Sequence, residues 1–254
     1  MSVLLAGLRV QLLISLRRLD DVQLLALVPF SAILYLTMLA QTGRRDLAVV
    51  GVLASYVTSV WSLALLSGGD LIDEERYTGT FGPLLVTPVS VTRAMLGRVL
   101  AISLLGLVGL VEAGIVAVLF FHVDLGVQRP GLLAATVALL TVAMAGATYL
   151  FAAVFLLTTN ARPFQNAMTY PAYVLGGVLA PLKVWPIWIR VPGRLFFLSW
   201  VMDLFGVATG RATGAILLPA LAAGALAIVM WLLALAMLRF AIHRVQATGA
   251  FDDI

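Results

Sequence analysis

Asp70-Leu-Ile-Asp73-Glu74-Glu75-Arg76-Tyr-Thr-Gly79-Thr80-Phe-Gly82-Pro83-Leu84-Leu85-Val-Thr87-Pro88-Val89-Ser90 is a polar, acidic island punctuated by Gly and Pro. Apolar runs flank it at 47–68 and 98–121. Each run is long enough to read as a membrane span, which needs about 18–20 apolar residues. The island cannot stay in lipid, so it lies in water or against another protein. Two long apolar runs joined by such an island already define an α-helical membrane protein that crosses more than once.

Working outward, the rest of the chain repeats the pattern. Of 254 residues, 62% are hydrophobic and 11% are charged, where a soluble chain carries about a quarter charged. Six spans are predicted, at 22–40, 47–68, 98–121, 132–157, 164–181 and 213–238. The runs are too uniformly apolar for the alternating strands of a β-barrel. The soluble remainder is small, so residues 1–254 read as a single transmembrane domain. Small-residue pairs at four-residue spacing, Ala143/Ala147, Gly210/Gly214 and Ala220/Gly224, mark places where helices can approach closely.

Three segments stand outside the spans. In residues 1–20, Leu5, Leu8, Leu12, Leu16 and Leu19 form one helical stripe, with Arg9, Arg17 and Asp20 on other faces. This fits a helix lying in the membrane interface; the alternative is the start of a longer first span. Residues 70–93 contain the acidic island. Residues 182–205 hold Lys183, Trp185, Pro186, Trp188, Arg190, Pro192, Arg194 and Trp200. Pro breaks helices and Trp favours the headgroup level. The expectation there is two short helical pieces that dip into the outer leaflet and return; an ordinary interfacial loop is the alternative.

With six spans both termini share a side. That side carries nine of the basic residues and the other seven, which favours cytoplasmic termini under the positive-inside rule by a small margin. The basic residues are scattered at span ends, so no nucleic-acid patch is expected. The chain has no cysteine, which excludes disulfide and thiol chemistry. No short apolar core followed by a small-residue cleavage site stands at the start, so no removable signal peptide is expected.

Catalytic patterns are missing too. There is no G-x-x-x-x-G-K-[ST] loop, and the single lysine, Lys183, lies in a Pro- and Trp-rich context unsuited to cradling phosphates. Only His122 and His243 are present, with no H-E-x-x-H pair, so no metal site is expected. Glu74-Glu75 invites comparison with membrane proteases carrying a Glu pair and an Arg four residues on, but Gly79 stands at that place. No histidine lies within a span to activate a serine. The expectation is a chain with no catalytic residues, no cofactor and no ATPase site of its own.

Six spans, no ATPase site and an island after the second span resemble the ABC-2 permeases of ATP-binding-cassette transporters. The resemblance rests on Glu75-Arg76-x-x-Gly79-Thr80, then Leu84-Leu85-x-Thr87-Pro88-Val89-Ser90. A second match is Pro171…Gly176-Gly177-Val-Leu-Ala-Pro181-Leu-Lys183-Val-Trp185-Pro186-Ile-Trp188-Ile, similar to the family's fifth span and outward re-entrant helices. Together they cover essentially the whole chain.

The resemblance implies a multi-pass protein of a prokaryotic plasma membrane. A separate P-loop ATPase subunit would supply ATP and Mg²⁺ chemistry, and a second permease chain, identical or related, would pair with this one. Asp73, Glu74, Glu75, Arg76, Gly79, Thr80, Leu84, Leu85, Thr87 and Pro88 would form the contact with the ATPase. Glu74 and Glu75 would offer acceptors to its basic residues, and Thr78 or Thr80 would cap a short helix. Gly82-Pro83 departs from the family pattern, so the coupling helix would start or split there.

By the same resemblance, spans two and five flank the path, which nominates Tyr56, Ser59, Asn166 and Tyr170. Ser55, Thr58, Ser59 and Ser62 make the second span notably polar. Glu112 is the one acid deep within a span, a functional candidate by cost alone, and Gly109 on its face invites close helix contact. Glu112 either meets cationic substrate or packs as a hydrogen-bonded neutral residue. The expected activity is export of a small amphipathic drug or natural product, with membrane lipid as a surrounding partner. A polysaccharide or lipid-linked glycan is the alternative within the class. An ion-coupled secondary transporter would call for paired intramembrane acids or two related halves, and neither is seen.

Overall fold

The structure is a computed structural model and describes residues 3–44, 47–77, 91–123, 126–156 and 162–248. Among the described residues it is all-helical. In chain order the helices are α1 (Val3–Arg17), α2 (Leu19–Gln41), α3 (Ala48–Tyr77), α4 (Val91–Phe121), α5 (Pro130–Phe155), α6 (Arg162–Leu175), α7 (Ile187–Arg194), α8 (Phe197–Ala208) and α9 (Leu217–Thr248). A 3₁₀ turn, Leu182–Val184, precedes α7.

Among the described residues, five helices are long and apolar enough to cross a membrane: α2, α3, α4, α5 and α9. A sixth crossing is reached if α7 and α8, which meet at 91°, count as one. The expected span at 164–181 falls on α6, whose described part is the 14 residues Arg162–Leu175. Gly176-Gly177 ends it. Gly177 adopts φ +67°, a conformation open to glycine, and Val178 N–H closes the end on the Tyr173 carbonyl at 3.0 Å.

α3 is the central helix. In its span 78% of the window is buried, against 17% for α2 and 22% for α9, so α2 and α9 lie at the periphery of the chain with their apolar faces exposed. Tyr56 and Trp61 of α3, Leu140 and Met144 of α5, Phe197 and Phe205 of α8 and Ala227 of α9 share one core. Trp61 meets Phe151 and Phe196 edge to face. Close approach is built into α3. A Cβ on Gly68 would stand 2.5 Å from the Thr148 methyl, and one on Gly69 would stand 2.0 Å from Gln165 Nε2 and 2.7 Å from the Phe155 ring.

Of the small-residue pairs, Ala143/Ala147 is fully buried in the core, whereas Gly224 has nothing within 4 Å. The segment 182–205 breaks into short helices as expected. The α7–α8 corner is held by Arg194, which pairs with Asp203 at 2.5 Å, stacks over Trp200 at 4.5 Å and accepts the Trp200 indole N–H at its carbonyl.

α1 forms where the leucine stripe predicts a helix, and its packed face lies beside the stripe, with Leu8 and Leu12 half-buried at the border. The buried positions are Gln11 and Ser15, with Gly7 against the Ala94 backbone. Leu5, Val10, Leu13 and Leu16 are exposed. Small and polar residues make the helix contact and apolar ones face outward, the arrangement expected where lipid is the solvent.

Candidate functional site

The first site lies where α1, α3 and α4 converge, at the end of the bundle from which residues 78–90 depart. α3 does not stop at the membrane-spanning stretch. It continues as helix through Tyr77, so Asp70, Asp73, Glu74, Glu75 and Arg76 all ride on a rigid extension of the central helix. Gly79, Thr80, Leu84, Leu85, Thr87 and Pro88, together with Thr78, Gly82 and Pro83, lie outside the described residues.

Two of the acids are turned inward. Asp70 accepts from Arg18 at 3.1 Å. Glu75 pairs with Arg98 of α4, whose guanidinium is buried and whose Nε donates to Gln11 Oε1 of α1 at 2.8 Å. Gln11 in turn donates to Ser15 at 3.1 Å. On the α2 side, Ser67 donates to the buried carboxylate of Asp21 at 2.6 Å. A basic residue of an ATPase approaching Glu75 therefore meets a carboxylate already engaged with Arg98. Buried charges are tolerated when paired and hydrogen-bonded, and Arg98 meets both conditions.

The helix contact beneath this network is backbone on backbone. A Cβ on Gly97 would stand 2.2 Å from the Leu4 carbonyl oxygen and 2.9 Å from Leu8 N, and one on Gly7 would stand 2.5 Å from the Ala94 carbonyl oxygen. Glycine at both crossing points lets α1 lie directly on α4.

The second site is inside the membrane. Between 51 and 71, α3 shows just four partly accessible positions, Thr58, Ser62, Leu66 and Asp70. Their four-residue spacing makes a single stripe along the helix. Tyr173 of α6 sits against it, its hydroxyl 2.8 Å from Ser62 Oγ and donating to the Thr58 carbonyl at 3.2 Å. Tyr35 of α2 faces Thr58 from the other side, and Tyr170 meets Tyr173 edge to face at 6.4 Å. The result is a strip of hydroxyls and aromatic faces bordered by apolar helix.

The path residues nominated from sequence divide. Asn166 and Tyr170 lie on the exposed face of α6, with Tyr170 73% exposed, next to the stripe. Tyr56 and Ser59 are buried in the bundle, and Ser59 Oγ is bonded to the Ser55 carbonyl. Glu112 is half-buried, with Oε2 enclosed and no hydrogen bond to it among the described residues. Gly109, on its face, packs against Val28 of α2, so Glu112 stands on the α2 side of α4. Sequence reasoning flagged Thr58 and Ser62 as polar but missed Tyr35 and Tyr173, whose partners are remote in the chain. Tyr173→Phe removes the hydroxyl that joins α6 to α3. The expected result is a loss of about 1–1.5 kcal/mol, read as a lower melting temperature of the purified protein.

No group of three or more His, Cys, Asp or Glu able to hold a metal ion exists among the described residues. No curated protein matches the chain. The family model described as ABC-2 type transporter matches residues 18–209, from the Arg18 that pairs with Asp70 to the end of α8. This multi-pass helical protein, with a membrane core and a helical acidic extension but no enzymatic domain shown, is a permease component whose ATP-binding-cassette ATPase is a separate subunit: the chain belongs to the ABC-2 type transporter family.

Proposed function

We propose that this permease exports a small amphipathic molecule, entering from the cytoplasm or inner leaflet, across a prokaryotic plasma membrane. The observation that carries the reading is the stripe Thr58–Ser62–Leu66 with Tyr35, Tyr170 and Tyr173 beside it. Hydroxyls spaced along an otherwise apolar, aromatic surface suit a ligand that is itself part polar and part apolar. A glycan would call for a more continuously polar wall, so glycan export ranks second. A second permease chain, identical or related, faces Asn166 and Tyr170 across the path. Two ATPase subunits, each using ATP and Mg²⁺, dock on residues 70–93 from the cytoplasmic side, where both termini also lie.

In this reading Asp73, Glu74, Arg76, Gly79, Thr80, Leu84, Leu85, Thr87 and Pro88 face the ATPase, while Glu75 anchors the contact from inside. Co-purification with a P-loop ATPase subunit is the direct measurement. Glu74→Lys is expected to cut recovery of the ATPase about tenfold with the permease still folded. Unchanged recovery removes the docking assignment. ATP-dependent uptake of a fluorescent amphipathic dye into inside-out vesicles tests the substrate class. Uptake of a lipid-linked glycan in place of the dye would move the assignment to the alternative.

Glu112 contributes a negative charge that favours cationic substrates. Glu112→Gln is expected to lower uptake of a cationic dye several-fold and leave a neutral dye unaffected. Equal uptake of both by the variant and the wild type would reduce Glu112 to packing.

A further inference from the structure

Arg98 is not among the residues that the family pattern nominates for docking, yet it is the charge on which three helices close. Its Nε holds Gln11 of α1 and its NH1 holds Glu75 of α3, while its own backbone belongs to α4. Arg98 is 5% exposed and Gln11 1% exposed, so neither bond is exchanged readily for one with water. A guanidinium is planar and rigid, and its donors leave in fixed directions. Moving Glu75 without moving Gln11 would strip a buried cation of one partner, which a low-dielectric interior strongly opposes. The Gly7/Ala94 and Gly97/Leu4 backbone contacts remove the slack that flexible side chains would otherwise provide. The Arg18–Asp70 pair ties the far end of α1 to α3 as well.

We propose that Arg98 is a positioning residue that makes α1 part of the lever driven through α3 and α4. A displacement delivered to the ends of these two helices is carried by the guanidinium into α1, which then moves with α4 as one body. α1 is thus a moving part rather than a passive membrane anchor. The inference deepens the proposed function and rests on its assignment of energy input to residues 70–93.

The absence of cysteine makes spin-label pairs simple to place. Leu13 in α1, Leu104 in α4 and Ile228 in α9 are exposed, and cysteines there take labels without entering the network. Distances are read by pulsed electron resonance on the complex with its ATPase in lipid nanodiscs, before and after trapping with ATP and vanadate. In the otherwise wild-type chain, the 13–228 and 104–228 distances should shift together and the 13–104 distance should stay constant.

In Arg98→Lys, which keeps the charge but cannot hold Gln11 and Glu75 in the same fork, the 104–228 shift should persist. The 13–228 shift should be lost, and the 13–104 distribution should broaden. Gln11→Leu cuts the α1 arm alone and should behave the same way, which covers a poorly folding Arg98 variant. A shift at 13–228 that survives both substitutions overturns the proposal. So does a wild-type α1 that stays still while α4 moves. If no distance responds to ATP in a complex that binds its ATPase, the coupling assignment itself fails, and this inference with it.

Discussion

Glu75→Ala is expected to destabilise the protein by about 3 kcal/mol, the range seen when one partner of a buried ion pair is deleted. The Arg98 guanidinium would remain buried with its positive charge, keeping Gln11 as an acceptor but losing the Glu75 carboxylate. Neither water nor lipid can replace that carboxylate cheaply at a position 5% exposed. Glu75→Gln keeps an oxygen acceptor in place and should lose clearly less. The order Ala below Gln below wild type, measured by thermal unfolding in detergent, checks the account. Equal stability of all three variants would mean that the pair contributes nothing to the fold.

Gly97→Ala is expected to cost about 1–3 kcal/mol, the usual penalty for overpacking. The added methyl would meet the Leu4 carbonyl oxygen at 2.2 Å and the Leu8 nitrogen at 2.9 Å. Both are backbone atoms of a helix, so no side chain can rotate away, and α1 must lift off α4. Ser15, 3% exposed on the packed face of α1, reports the lifting. A Ser15→Cys probe should react slowly with a maleimide in the wild-type background and at least tenfold faster alongside Gly97→Ala. Equal rates would show that α1 does not depend on this crossing.

Much of the architecture was legible in the sequence, because each membrane helix is written locally as a run of apolar residues. Pro186, Pro192 and the tryptophans around them correctly pointed to broken helices at α7 and α8. The end of the helix at 162–175 was not legible, since the apolar residues after Tyr170 run on until Gly176-Gly177 turns the chain. The leucine stripe of α1 predicted the helix, while its contact face, Gly7, Gln11 and Ser15, carries no apolar pattern that sequence could announce.

The ion-pair network was illegible for a different reason. Arg98 reaches a carboxylate 23 positions away and an amide 87 positions away, and no local pattern announces either bond. Tyr173 likewise finds Ser62 across 111 positions. The acids of residues 70–75 read as a charged surface, yet Asp70 and Glu75 are held within the chain. The family resemblance supplied what periodicity could not, and the family match over residues 18–209 agrees with it.

The docking of α1 on α4 has a consequence for how the protein is made. α1 leaves the ribosome well before α4, since Arg98, the partner of its Gln11, lies 87 residues later. At about 5–20 residues per second, α1 waits on the order of ten seconds with Gln11 and Ser15 uncovered. During that interval its exposed leucines can hold it at the bilayer surface, while its polar face stays in the headgroup layer. The Gly-Gln-Ser face is thus covered only once α4 has been made, whereas the exposed leucines serve from the start.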